Sequence, residues 1–417
     1  MEKIKKFIRN ILRHNDTLRI FARKVNVALK QRRYRRIAAG EAIDDRKVVF
    51  ETFMGRQYGC NPKWIYEYMI SRPEFDDYKF VWVARDEAKL EEMKQLERTG
   101  AVMLRSGAYY RACASAKYII TNSNLDNGII KKDGQIFLQT WHGTPLKKLR
   151  CDIVAEKGNA MNSLKEIYSK NDMDVVRYDY FISPSAYCTE KFTSAFNLKK
   201  LGREDIIIET GYPRNDLLFN YGEEDVKAVR DSLCIPEGKK VILYAPTFRD
   251  NQHDGGGYTY DTHIDFDRLR DRFGDEYVVL FRAHYFVASR FDFSRYEGFI
   301  YNVSDLDDIT PLYLISDILI TDYSSVMFDF ANLERPMLFY MYDLEEYDKD
   351  IRGFYFPVEE LPGPIIRTEE ELLDAIGNID DVERKYASQY EAFNDKFNYL
   401  DDGNAARRVV NELKMEN

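Results

Sequence analysis

A histidine stands where a predicted strand gives way to a loop. The apolar run at 136–138 predicts a buried strand, and glycine and proline end that pattern in the sequence His-Gly-Thr-Pro at 142–145. Ligands of open α/β sheets bind beyond the carboxyl ends of the strands. An imidazole placed there titrates near neutral pH and can take a proton from a substrate hydroxyl. His142 is therefore a candidate general base, and a structural role in fixing the loop is the alternative.

A second group of polar side chains follows three predicted strands, at 239–245, 277–282 and 317–321. The group consists of Thr247, Arg249, Arg282, His284, Asp322, Ser324 and Ser325. Parallel strands bring their carboxyl ends to one edge of a sheet, and arginine binds phosphate through a bidentate fork. A helix predicted at 326–333 offers amides without internal partners. The group predicts a pyrophosphate site, and simple helix capping is the alternative for the two serines.

The elements that position these residues alternate between strands and helices in two series. The first series runs from Lys47 to Glu209 and the second from Lys239 to Tyr340, with the boundary near 215–238. This alternation predicts parallel sheets covered by helices. The predicted fold is therefore α/β, with two Rossmann-like domains, 41–220 and 221–417, that face a cleft. This is the GT-B arrangement of nucleotide-sugar transferases, and the paired domains of periplasmic binding proteins are the alternative.

Length and composition bound the class of protein. A chain of 417 residues is long enough for two domains of roughly 150 to 200 residues. Its five cysteines are scattered without a CxxC pair, which indicates a reducing compartment without a disulfide framework or zinc site. No metal site or cofactor is predicted, because histidines and carboxylates lack metal-ligand spacing; a Mg²⁺ requirement stays open. The letters Asp-Leu-Asp-Asp at 305–308 are interpreted as a cap and loop.

Residues 1–40 form a basic segment ahead of an acidic body. They hold 13 lysines and arginines against two acids, a charge of +11. Because the net charge of the chain is −9, the remaining residues carry −20. Apolar residues recur at helical spacing, first from Ile4 to Leu12 and then at Leu18, Phe21, Val25 and Leu29. This predicts a basic amphipathic helix on an anionic membrane surface, and a helix docked on the protein's own acidic body is the alternative. The acidic body argues against nucleic acid as a partner, and no apolar run approaches the ~18 residues of a membrane span.

Seven motifs, in order over roughly residues 115–360, resemble the CDP-glycerol glycerophosphotransferase family of teichoic-acid primases and polymerases. They are QTWHGTPLKK at 139–148, ISPS at 182–185, GYPRND at 211–216, APTFR at 245–249, RAH at 282–284, TDYSS at 321–325 and RGFY at 352–355. The resemblance implies a GT-B fold, peripheral (monotopic) association with the cytoplasmic face of the cell membrane and a CDP-activated polyol donor. It also implies that His142 and His284 are the essential histidines.

The implied reaction transfers glycerol phosphate from CDP-glycerol to a hydroxyl of a lipid-linked glycan or polymer acceptor. A phosphodiester forms and CMP leaves, in the synthesis of teichoic-acid or capsule-type polymers. CDP-ribitol as the donor, sugar transfer from a nucleotide sugar, and non-catalytic binding of an anionic ligand are the alternatives.

Roles for individual residues follow from the same resemblance. His142, in the acceptor-side first domain, is expected to act as the base, while His284 and Arg282 stabilise charge on the pyrophosphate and the leaving CMP. The expected phosphate contacts in the donor-binding second domain come from Thr247, Arg249, Asp322, Ser324 and Ser325. The rest of the cleft is expected to include Gly143, Lys147, Arg214 and Asp216.

Overall fold

Two parallel β-sheets organise the chain, as the alternating pattern predicts. This computed structural model describes residues 16–153, 164–247, 253–254, 257–258, 263–283, 292–350 and 353–415. The first sheet contains β1 Asp44–Glu51, β2 Lys79–Ala84, β3 Thr99–Met103, β4 Ala116–Thr121, β5 Ile136–Gln139, β6 Tyr180–Ser183 and β7 Ile207–Glu209. Its strand order is β3-β2-β1-β4-β5-β6-β7, and all neighbours are parallel.

The second half of the chain forms the second sheet and a separate short hairpin. The strands are β8 Lys240–Ala245, β9 His253–Asp254, β10 Gly257–Tyr258, β11 Tyr277–Phe281, β12 Ile300–Asn302, β13 Ile318–Thr321, β14 Met337–Tyr340 and β15 Ile365–Ile366. β9 and β10 pair with each other, and the sheet has the parallel order β12-β11-β8-β13-β14-β15. Both sheets reverse their strand order, at β1/β4 and at β8/β13. Such switch points create a crevice in which ligands bind.

Helices connect the strands and cover both sheets. They are α1 Asp16–Ala38, α2 Cys60–Ile70, α3 Glu87–Met93, α4 Gly107–Ser115, α5 Leu164–Val175, α6 Ala186–Ala195, α7 Leu198–Leu201, α8 Glu223–Ser232, α9 Phe266–Phe273, α10 Thr310–Ile315, α11 Val326–Phe330, α12 Leu344–Asp350, α13 Glu369–Gly377, α14 Ile379–Phe397 and α15 Ala405–Glu412. The α/β prediction is confirmed.

Each sheet is buried on both faces, which explains why its strands are continuous apolar runs. In β8, Leu243 packs into the core on one face of the second sheet and Ile242 into the core on the other. In β1, Phe50 and Val49 divide in the same way between the two faces of the first sheet. Strands covered by helices on both sides lack the polar alternation of half-exposed strands.

The last helix, α15, returns to the first domain. Val409 and Val410 are fully buried in the same core cluster as Phe50, and the Tyr78 hydroxyl donates to the carbonyl of Met415 at 2.9 Å. The predicted division into 41–220 and 221–417 placed this helix in the second domain. Its apolar face instead completes the core of the first, a long-range contact that local sequence pattern does not encode.

Helix α1, the described part of the basic segment, is docked on the first domain. Tyr34 and Ala38 are buried in the core beside α4, and the Arg19 guanidinium donates to both carboxylate oxygens of the buried Glu166 at 2.9 and 2.8 Å. Lys30 pairs with Asp126 at 3.0 Å. The alternative of a helix docked on the acidic body therefore holds for this stretch, whereas the predicted helical stripe at 4–12 lies outside the described residues. Within the described ranges, no helix combines the length and apolarity that a membrane span requires.

Candidate active site

The carboxyl ends of the two sheets face one cavity of about 1000 Å³. Predicted site residues from both domains line it: His142, Gly143, Lys147, Arg214, Thr247, Arg282, Ser324 and Ser325. The first domain also contributes side chains from the loops after β1 and β2, where no site residue was predicted. Two predicted residues, Arg249 and His284, lie outside the described residues. The structure thus brings the candidate base together with most of the residues that were predicted to bind pyrophosphate.

A backbone carbonyl fixes the tautomer of His142. Strand β5 ends at Gln139, and Nδ1 of His142 lies 3.0 Å from the carbonyl oxygen of Asn122, which follows β4. Because a carbonyl oxygen only accepts hydrogen bonds, Nδ1 carries the proton and Nε2 keeps its lone pair. The ring lines the cavity, so the arrangement suits proton transfer from a bound hydroxyl to Nε2.

The surroundings keep the His142 imidazole neutral. Desolvation inside the cleft lowers its pKa from 6.5 to about 4, the charges of Arg214 and Arg150 act in the same direction, and the Asn122 hydrogen bond opposes them. The side chain is exposed to the cleft, and water there weakens both the desolvation and the effect of the neighbouring charges, which leaves the pKa shifted downward from 6.5. At pH 7 the imidazole is therefore unprotonated at Nε2 and able to accept a proton.

Aromatic packing and a buried amide orient the His142 loop. The Trp141 ring lies 4.3 Å from the His142 ring, centroid to centroid, and its other neighbours include Phe196 at 4.9 Å. Trp141 has a left-handed backbone, with φ +51°, which is unfavourable for a bulky residue. The amide of Asn61 donates to the carbonyls of Thr140 and Trp141 at 3.1 and 3.2 Å. These contacts hold the strained turn that points His142 into the cavity.

Gly143 lies at a close contact between the two domains. A Cβ atom on this glycine would lie 2.6 Å from Oγ and 3.0 Å from Cβ of Ser325. The loop of the candidate base and the serine pair after β13 are thus in van der Waals contact. Sequence spacing alone did not predict this contact, although the glycine itself belongs to the predicted site.

The loop after β1 forms part of the cavity and was not predicted. Phe53, Met54 and Gly55 all have left-handed backbones, with φ of +46°, +60° and +77°. The Asn122 side chain accepts from the Phe53 amide at 2.8 Å, and the Phe53 ring meets the His142 ring edge-on at 5.5 Å. Left-handed non-glycine residues are costly and cluster at functional sites. The only sequence signal for this loop is the glycine at its tip.

The second domain contributes the predicted phosphate edge. The Asp322 carboxylate accepts from the amides of Thr247 and Tyr323 at 2.8 and 2.5 Å, which joins the loops after β8 and β13. Arg282 follows β11, and its guanidinium donates to the carbonyl of Val303 at 2.8 Å. Burial lowers the pKa of Arg282. Asp322 was predicted to contact phosphate, but it does not line the cavity. It lies behind the wall and holds the two loops together.

The helix after the serine pair is shorter than predicted. Helix α11 spans Val326–Phe330 and a 3-10 turn follows at Ala331–Leu333, whereas one helix was predicted over 326–333. Ser325 does not cap it through its side chain, and the Ser324 hydroxyl is 3.4 Å from the amide of Val326. Both serines line the cavity. Their hydroxyls, more than the dipole of a five-residue helix, are what this edge presents to a ligand.

A buried ion pair forms the floor of the cavity. The Arg214 guanidinium donates to both carboxylate oxygens of Asp329, with Nε and Nη2 at 3.0 and 2.7 Å, and the two residues are 3% and 5% exposed. The Arg214 amide donates to the side-chain oxygen of Asn61 at 3.2 Å. Since Asn61 also binds the backbone before His142 and Asp329 lies in α11, this network links the candidate base to the helix after the serine pair.

Asp216, predicted to lie in the cleft, is instead part of the packing of α15. Its two carboxylate oxygens accept from the amides of Ala405 and Ala406, both at 2.8 Å. Burial raises its pKa to about 7 against the lowering effect of these two bonds. Asp216 does not line the cavity, because the turn at 213–218 directs Arg214 to one side and Asp216 toward the last helix.

Carboxylates of the second domain close one side of the cavity. Asp307 accepts from the amide of Tyr58 and the ammonium of Lys89, both at 2.7 Å. Asp308 accepts from the ammonium of Lys63 at 2.9 Å and also caps the following turn. The stretch 305–308 was interpreted only as a cap and loop. Its cross-domain ion pairs involve residues more than 200 positions away.

Backbone pairing closes the opposite side. The Lys148 amide donates to the carbonyl of Gly353 at 3.1 Å, and the Tyr355 amide donates to the carbonyl of Leu146 at 2.8 Å. The ammonium of Lys147 lies 3.3 Å from the hydroxyl of Tyr347. Gly353 and Tyr355 of the predicted motif thus hold the loop after His142 against the second domain.

Comparison with known proteins identifies the family. The family model described as CDP-Glycerol:Poly(glycerophosphate) glycerophosphotransferase matches residues 33–414. The chain belongs to this family. The resemblance inferred from the seven motifs is therefore confirmed.

Relatives of known name align with most of this chain. The teichoic acid poly(glycerol phosphate) polymerase of Bacillus subtilis is 44% identical over 383 residues, which are 90% of this chain and 50% of that protein. The teichoic acid glycerol-phosphate transferase of Staphylococcus aureus is 40% identical over 372 residues, 88% of this chain and 92% of that protein. The chain thus spans about half the length of the first relative and nearly all of the second.

A solved structure confirms the fold. The wall teichoic acid polymerase TagF, in a structure with CDPG, superposes with a TM-score of 0.84 at 35% identity and covers 97% of each chain. The GT-B-like prediction is confirmed by this similarity. Among the described residues, no group of three or more His, Cys, Asp or Glu side chains is placed to hold a metal ion.

Proposed function

We propose that this family member transfers glycerol phosphate from CDP-glycerol to an acceptor hydroxyl, forming a phosphodiester and releasing CMP. The observation that carries the proposal is the placement of His142. Its unprotonated Nε2 belongs to a ring that lines the cavity, and the next residue contacts Ser325 of the opposite domain. A base on one wall and phosphate-binding groups on the other suit in-line attack at phosphorus.

The chemical step then follows from positioning and charge. The acceptor hydroxyl loses its proton to Nε2 of His142 as its oxygen attacks the phosphorus that bears glycerol. The bond from that phosphorus to the CMP oxygen breaks, and the electron pair leaves with CMP. Arg282 supplies positive charge and Thr247, Ser324 and Ser325 supply hydroxyls for the phosphate oxygens. His284 and Arg249 retain their predicted roles in charge stabilisation and phosphate binding.

Glycerol is the proposed polyol, with a lipid-linked glycan or polymer as the acceptor. Both relatives described above carry glycerol phosphate in their names, and this similarity supports CDP-glycerol over CDP-ribitol or a nucleotide sugar.

The test of this choice incubates the full chain with one donor at a time: CDP-glycerol, CDP-ribitol or UDP-N-acetylglucosamine. The acceptor is a lipid-linked disaccharide, with and without a glycerol phosphate primer. Mass spectrometry should detect addition of glycerol phosphate and matching CMP release. Addition of ribitol phosphate or of a sugar, with CDP-glycerol left intact, would reject the proposal.

The outer face of α1 supports attachment to an anionic membrane surface at the cytoplasmic face. Leu18, Phe21, Val25 and Leu29 are 44%, 65%, 44% and 61% exposed and share one stripe of the helix. Arg32 and several neighbouring cations are also exposed, which suits anionic lipid headgroups. Because the whole stripe is exposed, it belongs to a different face of α1 from the one that docks on the first domain.

Point variants test the surface without disturbing the buried end of α1. Phe21→Ser combined with Leu29→Ser should reduce cosedimentation with vesicles that contain anionic lipid. Phe219→Ser, at a phenylalanine that is 43% exposed elsewhere, should leave it unchanged. Equal sedimentation of the wild type, the double variant and the Phe219 variant would show that α1 does not contact the membrane.

A further inference from the structure

The wall of the cavity formed by the first domain carries two arginines to which no role has been given. Arg56 lies in the loop after β1 and Arg85 in the turn after β2, and both side chains line the cavity with substantial exposure. The groups placed at the phosphate edge, such as Arg282 and Ser324, belong to the opposite wall. The arginines therefore lie on the acceptor side of His142.

A glycine joins the two arginine-bearing turns. Gly55, with φ +77°, accepts a hydrogen bond at its carbonyl from the Arg85 amide at 2.7 Å. A Cβ atom at Gly55 would lie 2.9 Å from both the carbonyl carbon of Ala84 and the amide nitrogen of Arg85. Only glycine allows this approach and this backbone angle together. The contact places the chain at Arg56 directly beside the turn that carries Arg85.

The same loop is coupled to the candidate base. The Phe53 ring contacts the His142 ring, and its amide is held by Asn122, the residue whose carbonyl fixes the His142 tautomer. The arginine pair is thus built on the framework that orients His142. The wall that carries the arginines therefore adjoins the His142 ring.

The charges nearby leave Arg85 available for an anion. Asp86 caps α3 by accepting from the Lys89 amide at 3.0 Å, and Lys89 itself pairs with Asp307 and Glu92. Across the described ranges, no carboxylate lies within ion-pair distance of the Arg85 guanidinium. A guanidinium binds a phosphate group through paired N–H donors.

We propose that Arg56 and Arg85 bind the phosphodiester that precedes the acceptor hydroxyl. The first-domain wall is then an anion subsite that favours an acceptor already bearing a polyol phosphate unit over an unprimed one. The inference rests on the proposed function for its reaction, but anion binding at the wall is measurable without any donor.

The kinetic test uses Arg85→Gln and Arg56→Gln, with Arg111→Gln as the matched control at an exposed arginine of α4. Acceptors are bis-glycerol phosphodiester and its uncharged ether analogue, each with CDP-glycerol. The ratio of kcat/KM for the phosphodiester to that for the ether should fall by about tenfold or more in each cleft variant, the factor for a lost charged hydrogen bond. The Arg111 variant should keep the wild-type ratio.

The binding test separates the subsite from the reaction. Calorimetry measures the affinity of each folded variant for bis-glycerol phosphodiester without donor, and thermal melting confirms equal stability. Weaker binding in the Arg56 and Arg85 variants supports the subsite even if CDP-glycerol proves not to be the donor. Wild-type affinity in both variants, or an unchanged acceptor ratio in an active enzyme, overturns it.

Discussion

The buried Arg214–Asp329 pair offers the sharpest prediction about the floor of the cavity. Asp329→Asn keeps the shape of the side chain but leaves the Arg214 charge, which is 3% exposed, without its counterion. Two short hydrogen bonds of 2.7 and 3.0 Å lose their ionic acceptor. Removing one partner of such a pair costs about 3–5 kcal/mol. We expect a loss of free energy of unfolding in this range, together with a lower kcat, because Arg214 also holds Asn61 behind the His142 loop.

Urea and thermal denaturation measure this effect against a surface control. Asp77→Asn removes the partner of Arg46 in a pair whose side chains are 79% and 58% exposed, and such pairs contribute about 0–1 kcal/mol. A double variant, Arg214→Met with Asp329→Leu, should recover part of the loss, because no unpaired charge stays buried. If Asp329→Asn were no more destabilising than Asp77→Asn, the pair would not be the buried structural link described here.

Two other predictions concern the His142 loop. Gly143→Ala should lower kcat by about tenfold or more, because the added methyl group would lie 2.6 Å from the Ser325 hydroxyl. Gly40→Ala is the control, since a methyl group there meets nothing within 4 Å. Steady-state kinetics of CMP release measures both, and equal rates would show that the domain contact is not needed. The pH dependence of kcat/KM should be flat near neutrality, with an acid limb below pH 6.5 toward 4, because the lowered pKa of His142 keeps the base unprotonated until that range. A limb at or above pH 7 would contradict the neutral imidazole.

Strands were the most predictable part of the fold. Runs that are buried on both faces must be apolar throughout, so the strand predicted at 277–282 is observed as β11, Tyr277–Phe281. Strand ends then placed Thr247, Arg282 and the serine pair at one edge of the second sheet, because parallel strands share an edge, and His142 at the facing edge of the first. The periodicity of α1 correctly predicted a helix, but not which of its faces docks on the protein.

The features that were missed depend on contacts between distant residues. Arg214 and Asp216 stand two positions apart in one motif, yet one lines the cavity and the other caps α15. The strained turn at Phe53 is stabilised by Asn122, 69 residues later, and nothing in its own composition requires a left-handed backbone. Long-range hydrogen bonds of this kind decide which polar residues of a motif face the ligand.

The most direct test of the account compares His142→Ala with His263→Ala, an exposed histidine outside the cavity. With CDP-glycerol and a primed acceptor, loss of the base should reduce CMP release by roughly 10² to 10⁴-fold. The affinity for CDP-glycerol, measured by calorimetry, should stay close to that of the wild type, because the proposed donor-binding groups belong to the other domain. The His263 variant should turn over normally. Near-normal turnover by His142→Ala would contradict the assignment of His142 as the general base.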